Sequence, residues 1–420
     1  MDIPFERFEL ANGLRVVLAH DPSAPVVAVN LWYNVGSRND RQGRTGCAHL
    51  VEHMMFQGSA NVRDTMHFSF IEQAGGSVNG TTWLDRTNYY ETVPAQYLEL
   101  ALWLESDRMG WLLPGITKEK LDNQRDVVKN ERRWMVDGQP YGDWEERILA
   151  MMYPPGHPYH HSTIGSMEDL DATTLEDVVD FLRTYYVPNN AVLTVCGEFE
   201  PERARALVER YFGEIPSGPP IPPIQGCTTL EPTLGGGRCQ TVKKDLALAR
   251  VSVAYRIPAY GEGGFFPAIV ASRILAWGKA SRFHRTLIRQ RRLANDAMSE
   301  AFPLSVSAGL LVSSATASPG VALPVLEDAL LAEIEGLHDV SAAEVERAIN
   351  LIEASELIQL ERVGHRADQL SMQTTLFDDP GRINTELDLI RAVTPAAVRN
   401  FAAACLGREN RGVLQYLPRD

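Results

Sequence analysis

The chain has 420 residues, 45% of them hydrophobic and 22% charged, with a formal net charge of −14. That length is long for one core, so two or three domains of an ordinary globular protein are expected. The acidic balance argues against nucleic acid or an anionic membrane surface as a partner, and suits either basic peptides or a plain solvated surface. Five cysteines, Cys47, Cys196, Cys227, Cys239 and Cys405, are scattered without a C-x-x-C spacing. They imply no disulfide framework, and a reducing compartment fits best. No signal peptide is read at the N-terminus, and no apolar run approaches the ~20 residues of a membrane span. A cytoplasmic location is expected, or a periplasmic one if a leader precedes this sequence.

Phe8 to Ala19 reads as two short strands around an Asn12-Gly13 turn. In Pro25 to Val35, Val27, Val29, Leu31, Tyr33 and Val35 alternate with Ala28, Asn30, Trp32 and Asn34, which is a strand of period two. A polar stretch, Gly36 to Thr45, leads into Gly46-Cys47-Ala48-His49-Leu50-Val51-Glu52-His53-Met54-Met55-Phe56. As a helix, this segment puts His49 and His53 one turn apart on one face, with Glu52 at its border. Leu50, Val51, Met54 and Met55 form the opposite, core-seeking face. Two neutral imidazoles so spaced can share one zinc ion, and the carboxylate can take a proton from an attacking water. The order H-x-x-E-H is the inverzincin order, the reverse of H-E-x-x-H. With ten histidines in the chain, chance alone supplies such a pattern in roughly one chain in fifty to a hundred. A third ligand must therefore be sought. Cys47, at the start of this helix, reads as packing rather than as a thiol nucleophile, since no independent base is indicated for it.

Thr65 to Gln73 is the next expected helix, ending at Gly75-Gly76. Ser77 to Trp83 and Thr87 to Val93 read as two strands joined at Asp85-Arg86, followed by a helix over about Ala95 to Gly110. Lys118 to Val136 has a long helical pattern in which Gln124, Val128, Glu131 and Met135 share an inward-looking face. A carboxylate on such a face is expensive unless it is paired or bound to a metal. Tyr153 to Thr163 carries His157, His160 and His161 among prolines and glycine, and reads as a surface loop rather than a second metal site. Leu175 to Tyr186 and Pro201 to Phe212 read as helices flanking a buried-type strand at Ala191 to Val195.

The proline-rich stretch that follows Phe212 is the natural boundary. It divides a first domain, 1–213, from a second, 227–420, by a linker over 214–226. The halves echo each other. Thr173 to Val195 and Thr394 to Tyr416 share one plan: a threonine cap, a helix, a polar turn with Asn, and an apolar strand. Val251 to Tyr255 and Phe266 to Trp277 answer the early strand and the histidine helix, with Ala268-Ile269-Val270-Ala271-Ser272 where the first half has its histidines. The expected fold class is α+β: two homologous domains, each a mainly antiparallel sheet packed with helices, only the first able to bind metal.

Glu131 follows His53 by 131 − 53 = 78 positions. With it in view, the whole chain resembles the pitrilysin–insulysin family of metallopeptidases, in its half-length branch with the mitochondrial processing peptidase subunits. The resemblance rests on three stretches: His49-x-x-Glu52-His53; Val127-Val128-Lys129-Asn130-Glu131-Arg132-Arg133; and Gly75-Gly76-Ser77-Val78-Asn79-Gly80-Thr81-Thr82 with Asp85-Arg86-Thr87-Asn88-Tyr89. It implies a zinc endopeptidase with one zinc per chain, His49, His53 and Glu131 as ligands and Glu52 as general base, cutting extended peptides in an enclosed chamber. Seven residues before the third ligand, where relatives often carry glutamate, stands Gln124. The strand holding Ser77, Val78, Asn79, Gly80 and Thr81 is, in relatives, the edge on which substrate pairs.

Relatives also supply an arginine and a tyrosine from a later domain. Arg289 stands where the arginine is expected, but the tyrosine position falls on Asn295 or Asp296, neither of which offers a phenolic donor. A related partner subunit that completes the site, giving a heterodimer, is the resulting expectation, with a homodimer as the alternative. The rival reading is a non-catalytic scaffold or peptide-binding subunit.

Overall fold

The structure, a computed structural model, describes residues 2–226, 228–231 and 233–419; Cys227 lies outside them. In chain order the first half forms β1 (Glu6–Glu9), β2 (Arg15–His20), β3 (Val26–Tyr33), α1 (Cys47–Met54), α2 (Met66–Gln73), β4 (Ser77–Thr82) and β5 (Thr87–Pro94). It continues with α3 (Leu98–Trp111), α4 (Lys118–Arg132), α5 (Trp144–Met152), α6 (Met167–Ala172), α7 (Leu175–Tyr185), β6 (Ala191–Gly197) and α8 (Pro201–Phe212). The second half forms β7 (Arg238–Lys244), β8 (Arg250–Ile257), α9 (Phe265–Ala276), β9 (Ala294–Phe302), β10 (Gly309–Ala317) and α10 (Leu323–Glu335). It ends with α11 (Ala342–Leu360), α12 (Val363–Phe377), α13 (Arg382–Arg391), α14 (Pro395–Cys405) and β11 (Arg411–Pro418).

The strands make two sheets, ordered β1-β2-β6-β3-β5-β4 and β7-β11-β8-β10-β9. Without β1 the two orders are the same. Each sheet has its one parallel pair in the same place, β2 with β6 and β7 with β11, and is antiparallel elsewhere. The expected repeat therefore holds, with its first cap one residue later than expected, at Thr174 instead of Thr173. Thr174 and Thr394 each accept from an amide three residues on, that of Asp177 and that of Ala397. After each helix, an asparagine amide donates to a carbonyl five residues earlier: Asn190 to Tyr185 at 2.8 Å, Asn410 to Cys405 at 2.7 Å. That bond ties the helix end to the start of the strand that follows.

By packing, the chain divides into two units of three segments each: 1–133, 161–225 and 357–385 in one, and 134–160, 226–356 and 386–420 in the other. This is more interleaved than a single cut at the linker, although 216–225 has no regular secondary structure. The reason is visible on β3. Its Val27, Val29, Leu31 and Tyr33 join the main core of the first unit with Leu50, Val51 and Met54 of α1. Its other face is covered as well: Ala28 and Trp32 pack with Val17, Ala19, Val192 and Cys196 beneath Ala367 and Leu370 of α12. The alternation at Ala28, Asn30 and Trp32 marks not a solvent face but a second buried one. Asp368 of α12 makes that burial affordable, accepting hydrogen bonds from Asn30 at 3.3 Å, from Trp32 Nε1 at 2.8 Å and from Asn88 at 3.0 Å.

Two local expectations change. Met135 lies not on an inward face but half exposed in a π-helical turn, Arg133–Asp137, that follows α4. The turn shifts the helical phase, so i+11 no longer projects where a continuous α-helix would put it. The histidine-rich segment is not a surface loop at His157, which is 2% exposed and stacks on Tyr153 at 4.7 Å. Burial pushes its imidazole down to about 4, so it is neutral there, and its Nδ1 accepts from the Tyr159 amide. Among the described residues, Cys47, Cys196, Cys239 and Cys405 are free thiols, and no helix is long and apolar enough to cross a membrane.

Asp368→Leu strands three buried donors on β3 and β5. It should lower unfolding free energy by about 2–3 kcal/mol, measurable as a shift in the urea midpoint at constant slope.

Candidate active site

Helix α1 starts on Gly46, whose φ of +88° and close approach to the Ile164 carbonyl leave no room for a Cβ. Its first amides are met by Asp40, a cap seven residues upstream: one carboxylate oxygen takes the Gly46 N–H and the other the Ala48 N–H, both at 2.8 Å. Cys47 is buried here and its thiol is pushed up by that burial, which agrees with packing and not with a nucleophile. With Leu50, Val51 and Met54 in the core, the helix turns His49 and His53 the other way, ring centroids 4.9 Å apart.

Glu131 arrives from α4, which shares the core through Leu121 and Val128. One of its oxygens, Oε2, lies 3.4 Å from His53 Nε2 and 3.8 Å from His49 Nε2. A ligand atom from each of the three residues falls within 4.8 Å of the others. Two nitrogens and one oxygen so placed are a donor set that suits zinc with a position left open for water and substrate. The carboxylate side chain is 37% exposed while the imidazoles are at 13% and 23%, so the cluster opens to solvent on its Glu131 side.

The electrostatics fit the same reading. Burial, seconded by the neighbouring His53, brings His49 down to about 4. Burial also pulls on His53, but its hydrogen bond to Glu131 and the charges of Glu52 and Glu131 outweigh it and raise its pKa; Gln124 adds a further hydrogen bond. The bond from His53 holds Glu131 low. Glu52 is raised by burial, opposed chiefly by the Thr82 hydroxyl, which donates to its carboxylate. Its Oε2 is buried and makes no hydrogen bond. A carboxylate raised toward neutrality beside the imidazoles is what a proton-transferring base needs.

Strand β4 is one of the two edges of its sheet, β1 being the other. Ser77 and Asn79 are exposed on it, whereas Gly80 packs against Tyr89 and Phe56 so closely that a Cβ would lie 3.0–3.1 Å from their rings. Val78, Gly80 and Thr82 thus face the side of α1 and α2, while Ser77, Asn79 and Thr81 lie on the α12 side of the sheet. Residues Arg289, Asn295 and Asp296 belong to the other unit. Arg289 is exposed in a π-helical segment, His284–Gln290, and Asp296 is engaged by Arg250 at 3.4 Å and by the Thr316 hydroxyl at 3.1 Å.

A second cluster of the same residue types, His67, Glu91 and Glu105, went unnoticed in the sequence. His67 and Glu91 share a hydrogen bond of 2.9 Å, and both glutamates are fully buried. Here the cation is built in. The Arg108 guanidinium bonds Glu105, stands 3.7 Å from Glu91, and lies over the rings of Tyr89 and Phe56 at 4.1 and 4.9 Å. Burial, together with Glu105, raises Glu91 well above the usual carboxylate range. The sequence signal was the polar run Glu105-Ser106-Asp107-Arg108 inside an otherwise apolar helix. Asp40 and Thr82 also went unread, because their partners are fixed only by the fold.

Residues 15–155 match the family model described as insulinase (peptidase family M16), and 172–352 match the peptidase M16 inactive domain. Over 350 residues the sequence is 30% identical to zinc protease PqqE of Helicobacter pylori, covering 81% of this chain and 77% of that protein. The chain belongs to peptidase family M16. Within the family, a probable mitochondrial-processing peptidase subunit beta of Schizosaccharomyces pombe is 25% identical over 381 residues, 88% of this chain and 81% of that one. The crystal structure of a protease from H. pylori superposes with a TM-score of 0.93 at 26% identity, covering 99% of this M16 chain and all of the other. Half-length M16 organisation, one domain of each kind, agrees with the duplicated sheet order.

Zinc held by this cluster would have to displace the proton from protonated His53. Because the His53 pKa is raised, zinc affinity should be full above that value and fall about tenfold per pH unit below it. His49, at about 4, contributes a second proton only in stronger acid. The metal-free fold has the opposite sign: charged His53 stabilises it below the ordinary value of about 6.5, and this is lost as pH rises through the raised value. Chelator competition and thermal unfolding between pH 5 and 8 check both slopes.

Proposed function

We propose that this M16 chain is a zinc-dependent endopeptidase acting on extended or unfolded peptides. The observation that carries the reading is the placement of His49, His53 and Glu131 with donor atoms within 4.8 Å, beside a Glu52 carboxylate with a free oxygen. His49, His53 and Glu131 would hold one zinc ion, which when bound polarises the scissile carbonyl and makes water a nucleophile near neutral pH. Glu52 takes the proton from the attacking water and passes it to the leaving amine; its raised pKa suits both transfers. Gln124 holds the His53 ring. The substrate pairs as an added strand along Ser77, Val78, Asn79, Gly80 and Thr81, where main-chain bonding needs no particular sequence.

The names of the relatives, a zinc protease and a processing peptidase subunit, support a peptidase. A second reading is favoured by the inactive-domain match over 172–352 and by the lack of a tyrosine at Asn295 and Asp296. On that ground we propose that full activity needs a related subunit supplying an arginine–tyrosine pair, with Arg289 as the substrate-carbonyl contact if this chain acts alone. A non-catalytic subunit is the limiting form of this view.

Glu52→Gln should keep zinc at wild-type stoichiometry, one per chain, and lose 10²–10⁴-fold in peptide hydrolysis; unchanged turnover would remove Glu52 as the base. His53→Ala and Glu131→Gln should lower the zinc content itself. The purified chain alone should cleave peptides slowly and respond to its co-purifying subunit. Rapid hydrolysis by the isolated chain would refute the partner requirement.

A further inference from the structure

The first unit contains a feature that neither the metal donors nor the peptide edge explains. Residues 162–173, a loop followed by α6, bond to α4 and to Thr45, two residues before the start of α1. On the α1 side, Asp169 Oδ2 accepts from the Thr45 amide at 3.0 Å and from its hydroxyl at 2.5 Å, and the Thr45 hydroxyl accepts from the Ser166 amide at 3.2 Å. Gly165, at φ +74°, lies against the same backbone; a Cβ there would sit 2.2 Å from the Thr45 carbonyl oxygen. On the α4 side, Arg132 donates to the Gly165 carbonyl at 2.8 Å. Arg125 donates to the Leu170 and Thr173 carbonyls at 2.9 and 2.7 Å, and Lys129 pairs with Asp171 at 2.6 Å.

Arg125, Lys129 and Arg132 are spaced i, i+4, i+7 and share one stripe of α4. Gln124, Val128 and Glu131 form a parallel stripe one residue back, about 100° around the helix. We infer that 162–173 is a positioning clip: it fixes the rotation of α4 relative to α1 and so places Glu131 against the two histidines. Apolar packing at Leu121 and Val128 sets how close the helices lie, but it is tolerant of rotation, being non-directional. Metal geometry is not tolerant. A carboxylate about 5–6 Å from the helix axis moves ~1.5 Å for a rotation of ~15°, against a ligand-distance tolerance of about 0.2 Å. Directional bonds along the neighbouring stripe are what can hold that rotation. The clip joins both helix termini through one residue pair, Gly165 and Thr45, so the α1 and α4 contacts act on the same short backbone.

This inference rests on the metal reading above, and the experiment separates the two. Zinc dissociation constants are measured by chelator competition, alongside the unfolding midpoint of the metal-free protein. Thr45→Val and Arg132→Met should each weaken zinc about tenfold, and Gly165→Ala should weaken it by 10–100-fold. Thr45→Ser, which keeps the hydroxyl, should restore wild-type affinity. Lys118→Met, at the far end of α4 and outside the clip, should leave it unchanged. Should Gly165→Ala fail to fold, the Thr45→Val and Thr45→Ser pair decides alone. Variants that lower the metal-free midpoint yet bind zinc like the wild type overturn the clip and leave the metal centre standing. A wild-type protein that holds no zinc overturns the metal centre, and the clip with it.

Discussion

One carboxylate oxygen has to meet two imidazoles that belong to another helix, and most of the first unit is arranged to let it. The two histidines come almost without effort, since i, i+4 spacing on α1 puts them side by side. Glu131 does not: it lies 78 positions further on, on a helix whose place is decided by tertiary packing. The apolar faces of α1 and α4 share one core, and the polar atoms face each other only because Leu50, Val51, Leu121 and Val128 are turned inward. The Asp40 cap, the tight Gly46 entry and the polar stripe on α4 then remove the freedom that greasy contacts leave.

Two clusters of histidine and glutamate in one unit show how charge is managed in different ways. In the His67, Glu91 and Glu105 group a guanidinium is enclosed with the carboxylates, so the site carries its own cation and is sealed. In the His49, His53 and Glu131 group, among the described residues, no lysine or arginine pairs with the carboxylate, which remains partly open and whose bond with His53 raises that imidazole's pKa. The residue types are alike; the presence of Arg108 on the helix that also bears Glu105 makes one cluster a strut and leaves the other available. A donor count taken from sequence would rank them equally.

The sequence was most legible where a pattern is local. The histidine pair, the turn at Asn12-Gly13, the paired strands around Asp85-Arg86 and the cap at Thr394 are all written within a dozen residues and appear where expected, whereas the matching first-half cap is Thr174, one residue after the expected Thr173. Glu131 was found because an inward carboxylate is costly enough to stand out, and the resemblance gave it a role. Legibility failed where distant segments meet. Nothing near Asn30 and Trp32 announces that α12, over 330 residues later, will cover them, so the period-two pattern does not reveal what buries the strand's second face. Likewise His157 is buried by partners that prolines and a glycine nearby do not foretell. Interleaved units are hidden from a linear reading for the same reason.

The open edge at β4 has to satisfy contrary demands. A sheet edge rich in valine and isoleucine would grip any extended chain, including another copy of itself, and would hold what it had cut. Here the edge reads Ser-Val-Asn-Gly-Thr, residues with little side-chain surface to offer and, in glycine and asparagine, poor strand formers. The adhesion left is mainly that of backbone hydrogen bonds, whose number shrinks when a long peptide becomes two short ones. Under the proposed function, cleavage would halve the register that holds a peptide on this edge, so its composition would favour release of the fragments.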